Sequence, residues 1–248
     1  MPITPKQLIA HRGYMALYPE NTWRGLKAAL DLGARWVEFD IQMANEGDFI
    51  LLHDDNFQRT AGNPCSAFNL DQATRATLSV HEPDRLGAQF YPESVIGLGE
   101  MLKNLKQYPN ARAMVEIKEE SLTRWGLEAV MDPLLKQLEN HIAQCVLISF
   151  SLPALSYAKE RSPIELGWVL RSYDEPSIEQ ARALSPRFLI CNHTKLPANG
   201  SPADGPWAWM LYDLTDPIVI NKWGERGIDL IETEDIGQLL ESLDNHHG

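Results

Sequence analysis

The chain has 248 residues, enough for one large domain or two small ones. With 44% hydrophobic and 23% charged residues, it has the composition of a globular protein with material for a core. Its 34 acidic residues against 22 basic ones give a formal net charge of -12, which opposes non-specific attachment to nucleic acid or to an anionic membrane.

Nine short apolar runs can each form a buried strand. The first, LIAHR (8–12), is followed by TWRGLKAALDLG, where Leu26, Ala29 and Leu30 share one helical face. Asn21 or Thr22 can cap the start of that helix, and Gly33 lies just past its end, where a left-handed cap is expected. Next come WVEFDIQM (36–43) and FILLHD (49–54), separated only by ANEGD, which is too short for a parallel crossover. They are expected to form an antiparallel hairpin with Glu46-Gly47 as its turn. Residues 55–111 are the longest irregular region, read as an elaborated loop that ends in a helix around 98–107 and is long enough that it could fold over the mouth of the fold. Beyond it AMVEIK (113–118), CVLISF (145–150), ELGWVL (165–170), FLICN (188–192), AWMLY (208–212) and DLIET (229–233) follow. Segments of helical spacing lie between most of them: SLTRWGLEAVMDPLLKQLEN, LPALSYAKER and SIEQARAL, with DIGQLLESLDN last.

Strand then helix, repeated, argues for a parallel sheet covered by helices. With FILLHD set aside as an outgrowth, eight strands remain, each with a connection long enough to return. Eight such units in about 250 residues are the expectation for an α/β fold of the TIM (β/α)8 barrel type. This barrel carries a β-hairpin and a small insertion after its second strand. A doubly wound open sheet fits the same alternation. No linker or internal repeat divides the chain, so residues 1–248 are expected to form one domain, with the insertion included.

Cys65, Cys145 and Cys191 are odd in number and lack CxxC spacing, which favours small core hydrophobes in a reducing compartment. The start, MPITPKQLIAHRG, lacks the charged-then-apolar pattern of a signal peptide, and no run approaches the roughly 20 apolar residues of a membrane span. A cytoplasmic location without stable membrane association is the expectation.

In a barrel, side chains at the carboxyl ends of the strands share one mouth. The strand list therefore brings together His11, Arg12, Glu38, Asp40, Glu116 and Lys118. Charges inside apolar strands are costly unless paired or metal-bound. Three hard oxygen donors, Glu38, Asp40 and Glu116, suit one divalent cation, Mg²⁺ or Ca²⁺. Counting back from the Glu46-Gly47 turn pairs Asn45 with Asp48 and sets Asp40 opposite His53, bringing a second histidine to the mouth. Arg12 and Lys118 suit a phosphate group. One imidazole can then remove a nucleophile's proton while the other protonates a leaving alcohol, as phosphodiester cleavage requires.

HRG at 11–13, PENT at 19–22, EFD at 38–40, HD at 53–54, RTAG at 59–62 and VEIK at 115–118 resemble the glycerophosphodiester phosphodiesterase family in order and spacing. Further echoes are SF at 149–150 and GIDLIET at 227–233. The resemblance implies a TIM barrel and metal-dependent hydrolysis of small glycerophosphodiesters to sn-glycerol 3-phosphate and an alcohol. It implies His11 and His53 as the acid–base pair, Glu38, Asp40 and Glu116 as metal ligands, and Arg12 and Lys118 at the phosphate. It also implies attack on phosphorus by a glycerol hydroxyl, giving a cyclic phosphate that water opens. Glu20 is expected near the mouth, orienting Arg12 or the glycerol, with Phe150 and Tyr212 as an apolar wall for the glycerol carbons. Tyr212-Asp213-Leu214-Thr215 and Thr233-Glu234 depart from the Trp-Thr-Val-Asn and Thr-Asp common in the family. Competing readings are a related barrel phosphodiesterase acting on lysophospholipids or phosphoinositides, and a catalytically silent binding barrel. The loop residues His81, Trp207 and His193 are read as structural or surface groups.

Overall fold

All nine apolar runs become strands in the computed structural model, which describes residues 2–244. These are β1 (Leu8–Ala10), β2 (Trp36–Asn45), β3 (Asp48–Leu51), β4 (Arg112–Ile117), β5 (Cys145–Ser149), β6 (Glu165–Val169), β7 (Phe188–Asn192), β8 (Ala208–Tyr212) and β9 (Leu230–Thr233). Because β1 pairs in parallel with both β2 and β9, the sheet closes on itself. The result is an eight-stranded parallel barrel, with β3 attached antiparallel to β2 as a ninth strand. Closure removes the open-sheet alternative.

Helix α1 (Trp23–Asp31) follows β1 and buries Leu26, Ala29 and Leu30. Thr22 caps it by accepting from the Gly25 N–H, and Gly33 takes φ +96° just past its end. The insertion holds α2 (Gln58–Ala61), α3 (Gln72–Thr77) and α4 (Pro83–Leu86), and ends in α5 (Leu98–Leu105). The single helical segment expected after β4 breaks at Gly126, φ +89°, into α6 (Glu119–Trp125) and α7 (Leu127–Leu138). Then follow α8 (Leu152–Arg161), α9 (Glu175–Leu184), α10 (Pro217–Glu225) and α11 (Ile236–Asp244).

Alternation along each strand divides the core in two. Val37, Phe39, Ile41, Val115 and Leu147 pack outward under the helices, while Ile9, Met114, Ile148, Ile190 and Met210 fill the barrel. A third cluster, with Ala44, Ile50, Leu52, Phe57 and Val80, forms beneath the insertion. The insertion therefore has a small core of its own against the outgrown hairpin. No side chain of 55–111 lines the cavity at the barrel mouth, so the insertion does not take the covering position open to it.

Candidate active site

The carboxyl ends of the barrel strands surround a cavity of about 240 Å³. This is smaller than the roughly 300–1,000 Å³ of drug-sized sites and suits a small polyol phosphate. Most charged side chains come from one arc: His11 and Arg12 after β1, Glu38 and Asp40 on β2, Glu116 and Lys118 at β4, and Glu232 on β9, with Asp213 after β8 outside it. Ile148, Phe150, Val169, Ile190, Met210 and Tyr212 of β5 to β8 form the facing apolar arc.

The turn after β1 is built to present Arg12. Gly13 has φ +91°, and a Cβ there would meet the backbone of Gly25 at 2.6 Å, so only glycine lets the turn lie on α1. Arg12 itself sits at φ +51°, an uncommon conformation for a side-chain-bearing residue and a frequent mark of functional sites. Its backbone N–H donates to Glu38 Oε2 (3.0 Å), and its Nε lies 3.0 Å from Asp40 Oδ2. Glu20, 1% exposed, accepts from Arg12 Nη1 (3.1 Å) and from both terminal nitrogens of Arg59 (2.5 and 2.8 Å). Of the two places expected for Glu20, its carboxylate takes the one behind Arg12, outside the cavity lining.

Asn21 does not cap α1. At φ +53° its amide clamps Asp40 from both sides: Nδ2 donates to Asp40 Oδ2 (2.9 Å), and Oδ1 accepts from the Asp40 N–H (3.0 Å). Parallel register sets Asp40 beside Glu116, and Lys118 Nζ bridges them at 3.4 and 2.8 Å. Burial works to raise the Asp40 pKa, yet Arg12 and Lys118 hold it below the usual carboxylate range.

His53 reaches the mouth by a different route from the one expected. The Glu46-Gly47 turn forms and Asn45 pairs with Asp48, but a bulge between Met43 and Asn45 shifts the ladder so that Met43 pairs with Phe49 and Ile41 with Leu51. The Leu52 N–H then bonds to Asp40 O, so Leu52, not His53, stands opposite Asp40. The chain leaves the ladder at that point. Gln42 Nε2 donates to the carbonyls of His53 and Asp54 (3.1 and 3.3 Å), and Ser121 Oγ in turn donates to Gln42 Oε1. Thus held, His53 lines the cavity with His11. Its Nδ1 lies 2.7 Å from Asp54 Oδ1, a contact that favours the tautomer with Nε2 free to exchange a proton.

The His11 side chain is 13% exposed, and its partial burial, followed by the charge of Arg12, holds its pKa down to about 3, leaving a neutral imidazole near pH 7. Its Nδ1 meets no hydrogen-bonding partner. Oxygens of Glu38, Asp40 and Glu116 all lie within 4.8 Å of one another, and Glu38 Oε1 is buried without a donor. Burial, followed by the charge of Asp40, raises the Glu38 pKa well above the carboxylate range; burial raises Glu116 as well. An all-oxygen cluster whose charges repel and whose buried lone pair is unmatched fits a hard divalent cation.

Phe150 and Tyr212 lie on the apolar arc, with Lys118 Nζ 6.0 Å and the Arg171 guanidinium 5.0 Å from the Phe150 ring centre. Sequence reasoning missed Gln42, Asp54 and Arg59, which hold other groups, and Glu232. Glu232 was legible by the rule that found Glu38: it is a carboxylate inside the apolar run DLIET. Cys65, Cys145 and Cys191 are all free thiols, and no helix among the described residues is long and apolar enough to cross a membrane.

The model of the "Glycerophosphoryl diester phosphodiesterase family" matches residues 11–196. A glycerophosphodiester phosphodiesterase of Caldanaerobacter subterraneus subsp. tengcongensis is 26% identical over 158 residues, 63% of this chain and 63% of that protein. One from Bacillus altitudinis is 27% identical over 146 residues, 58% of this chain and 57% of that protein. The chain thus spans less than two thirds of the length of these curated relatives. Among solved structures, an Oleispira antarctica phosphodiesterase in complex with the product sn-glycerol-3-phosphate superposes with TM-score 0.82 at 23% identity, covering 96% of each chain. A glycerophosphodiester phosphodiesterase from Agrobacterium tumefaciens gives 0.75 at 19% identity, covering 95% of this chain and 99% of that one.

Proposed function

The chain belongs to the glycerophosphoryl diester phosphodiesterase family, and from that premise we propose that it hydrolyses glycerophosphodiesters to sn-glycerol 3-phosphate and an alcohol, using one divalent cation and two histidines. The observation that carries this reading is convergence: two imidazoles, two cations and three clustered carboxylates face one cavity of about 240 Å³.

Glu38, Asp40 and Glu116 would hold the cation, Mg²⁺ or Ca²⁺. When bound it offsets charge that builds on the phosphoryl oxygens and acidifies a nearby hydroxyl. Arg12 and Lys118 bind the phosphate, the first as a fork and the second as a point charge. Glu20 and Asn21 position Arg12 and Asp40, so the phosphate and cation sites are braced from the same turn. Phe150 and Tyr212 shield the glycerol carbons from water. One histidine accepts the proton of the attacking hydroxyl as its oxygen bonds to phosphorus. The other donates a proton to the alcohol oxygen as the P–O bond breaks. The Asp54 contact supports His53 as a ring with a fixed proton at Nδ1 and an exchangeable position at Nε2. Three free cysteines and a net charge of -12 are consistent with a protein of a reducing, cytoplasmic compartment that does not bind nucleic acid.

The test is release of sn-glycerol 3-phosphate from glycerophosphocholine, with and without a chelator. Turnover should disappear with the chelator and return with added cation. His11→Ala should lower kcat by about 10²–10⁴-fold, the usual contribution of a positioned acid or base. Near-normal turnover in that variant would contradict the role assigned to His11.

A further inference from the structure

Glu232 and Asp213 are charged cavity residues that the reading above leaves without work, and Glu232 is the buried one. It lies on β9, 4% exposed, where the ladder sets it level with Ile9 of β1. The pairing of Leu211 with Ile231 brings Tyr212 beside it on the other flank. Glu232 therefore stands at the seam where the apolar arc ends and the charged arc begins. Its Oε1 is buried and meets no donor among the described residues, and its Oε2 is 4.0 Å from His11 Nε2, beyond hydrogen-bonding range. Asp213 next to it is different: it already accepts from Asn192 Nδ2 at 2.6 Å. In either protonation state the unmatched Oε1 can accept, so what satisfies it must arrive as a hydrogen-bond donor or as a cation, and the test below separates the two.

A glycerophosphodiester brings one. If its phosphate is held at Arg12 and Lys118 and its carbons lie along Phe150 and Tyr212, as proposed above, the hydroxyl beside the ester would stay near the reacting phosphorus. The terminal hydroxyl would be directed along Tyr212 toward the seam. Resting on the phosphodiesterase reading, we propose that Glu232 is a specificity-determining residue that accepts a hydrogen bond from the terminal hydroxyl of the glycerol moiety. A diester whose polyol lacks that hydroxyl leaves the buried carboxylate unmatched and is rejected.

The test compares glycerophosphocholine with the phosphocholine diester of propane-1,2-diol, which keeps the hydroxyl beside the ester and lacks only the terminal one. The unaltered enzyme should prefer the glycerol diester by about 10²–10³-fold in kcat/KM, the scale of one charged hydrogen bond plus an unmatched buried acceptor and below the roughly 10⁴–10⁵ of sites built wholly around a hydroxyl. Glu232→Leu should bring that ratio to within about tenfold of unity by losing the glycerol diester alone, whereas Glu232→Gln, which keeps an acceptor oxygen, should retain an intermediate ratio. Calorimetric binding of sn-glycerol 3-phosphate and of propane-1,2-diol 1-phosphate should show the same pattern without turnover. Equal losses on both diesters, or an unchanged ratio, would overturn the assignment. So would weaker Mn²⁺ binding in Glu232→Leu, because Glu232, Glu38 and His11 also lie within cation-binding reach of one another. Turnover of neither diester by the unaltered enzyme would instead defeat the phosphodiesterase reading, and this inference with it.

Discussion

Glu20→Gln tests whether the turn after β1 is braced from behind. The substitution keeps the shape and one acceptor oxygen but removes the charge that two guanidinium groups share. Glu20 is buried and the Arg12 side chain is 15% exposed, so the roughly 3–5 kcal/mol cost of breaking a fully buried pair is an upper bound. Because the amide oxygen still accepts and Arg12 keeps Asp40 at 3.0 Å, roughly 2–3 kcal/mol of that loss is expected. The Arg59 side contributes little more, about 0–1 kcal/mol, since its side chain is 44% exposed and keeps Asp54 at 2.9 Å. The total of about 2–4 kcal/mol corresponds to a fall in Tm of about 5–15 °C for a chain of this length. Loosening Arg12 also weakens one charged hydrogen bond to the phosphate, about 1.5–3 kcal/mol, or roughly 10–150-fold in kcat/KM. Calorimetric melting and steady-state kinetics on glycerophosphocholine measure the two effects separately. A variant that melts and turns over like the unaltered enzyme would refute the bracing role.

Asn21→Ala removes both hydrogen bonds that fix Asp40 and should weaken Mn²⁺ binding by about 10–100-fold in a calorimetric titration, as loss of a ligand's outer partner does; unchanged affinity contradicts the clamp. Gly13→Ala forces a Cβ to within 2.6 Å of the Gly25 backbone at positive φ and should cost about 2–4 kcal/mol in denaturant unfolding. An effect below about 0.5 kcal/mol would mean that the close approach is relaxed. Burial works to raise the Asp54 pKa, but its bonds with Arg59 and His53 lower it overall. A depressed folded-state pKa contributes stability above the unfolded value of about 3.9 and loses it as pH falls through the folded value. Asp54→Asn should therefore be less stable near pH 6, and its unfolding curve should converge on that of the unaltered protein below about pH 4. A gap that persists undiminished at low pH argues against the ion pair.

The barrel was legible because its strands are apolar runs of the right length at regular spacing, and because five residues between WVEFDIQM and FILLHD permit only a hairpin. Glu38, Asp40 and Glu116 stood out because charge inside a covered strand needs a reason. The same logic applied to Glu232 and went unused. The bulge at Ala44 left no mark in the sequence pattern, since Phe49 and Ile50 are both apolar and either face accepts them. His53 still lines the cavity, through Gln42 and Ser121, partners 11 and 68 positions away along the chain that spacing alone does not connect. Glu20 and Asn21 were visible as polar residues at a helix start. Their work on Arg12 and Asp40 required the left-handed turns that only the folded chain displays.

The most direct measurement is a crystal structure with Mn²⁺ and sn-glycerol 3-phosphate bound, read in anomalous density. The account predicts one anomalous peak among Glu38, Asp40 and Glu116, with phosphate oxygens against Arg12 and Lys118 and both imidazoles directed at the phosphorus. A cation bound away from that trio, or either imidazole turned from the phosphate, would contradict it.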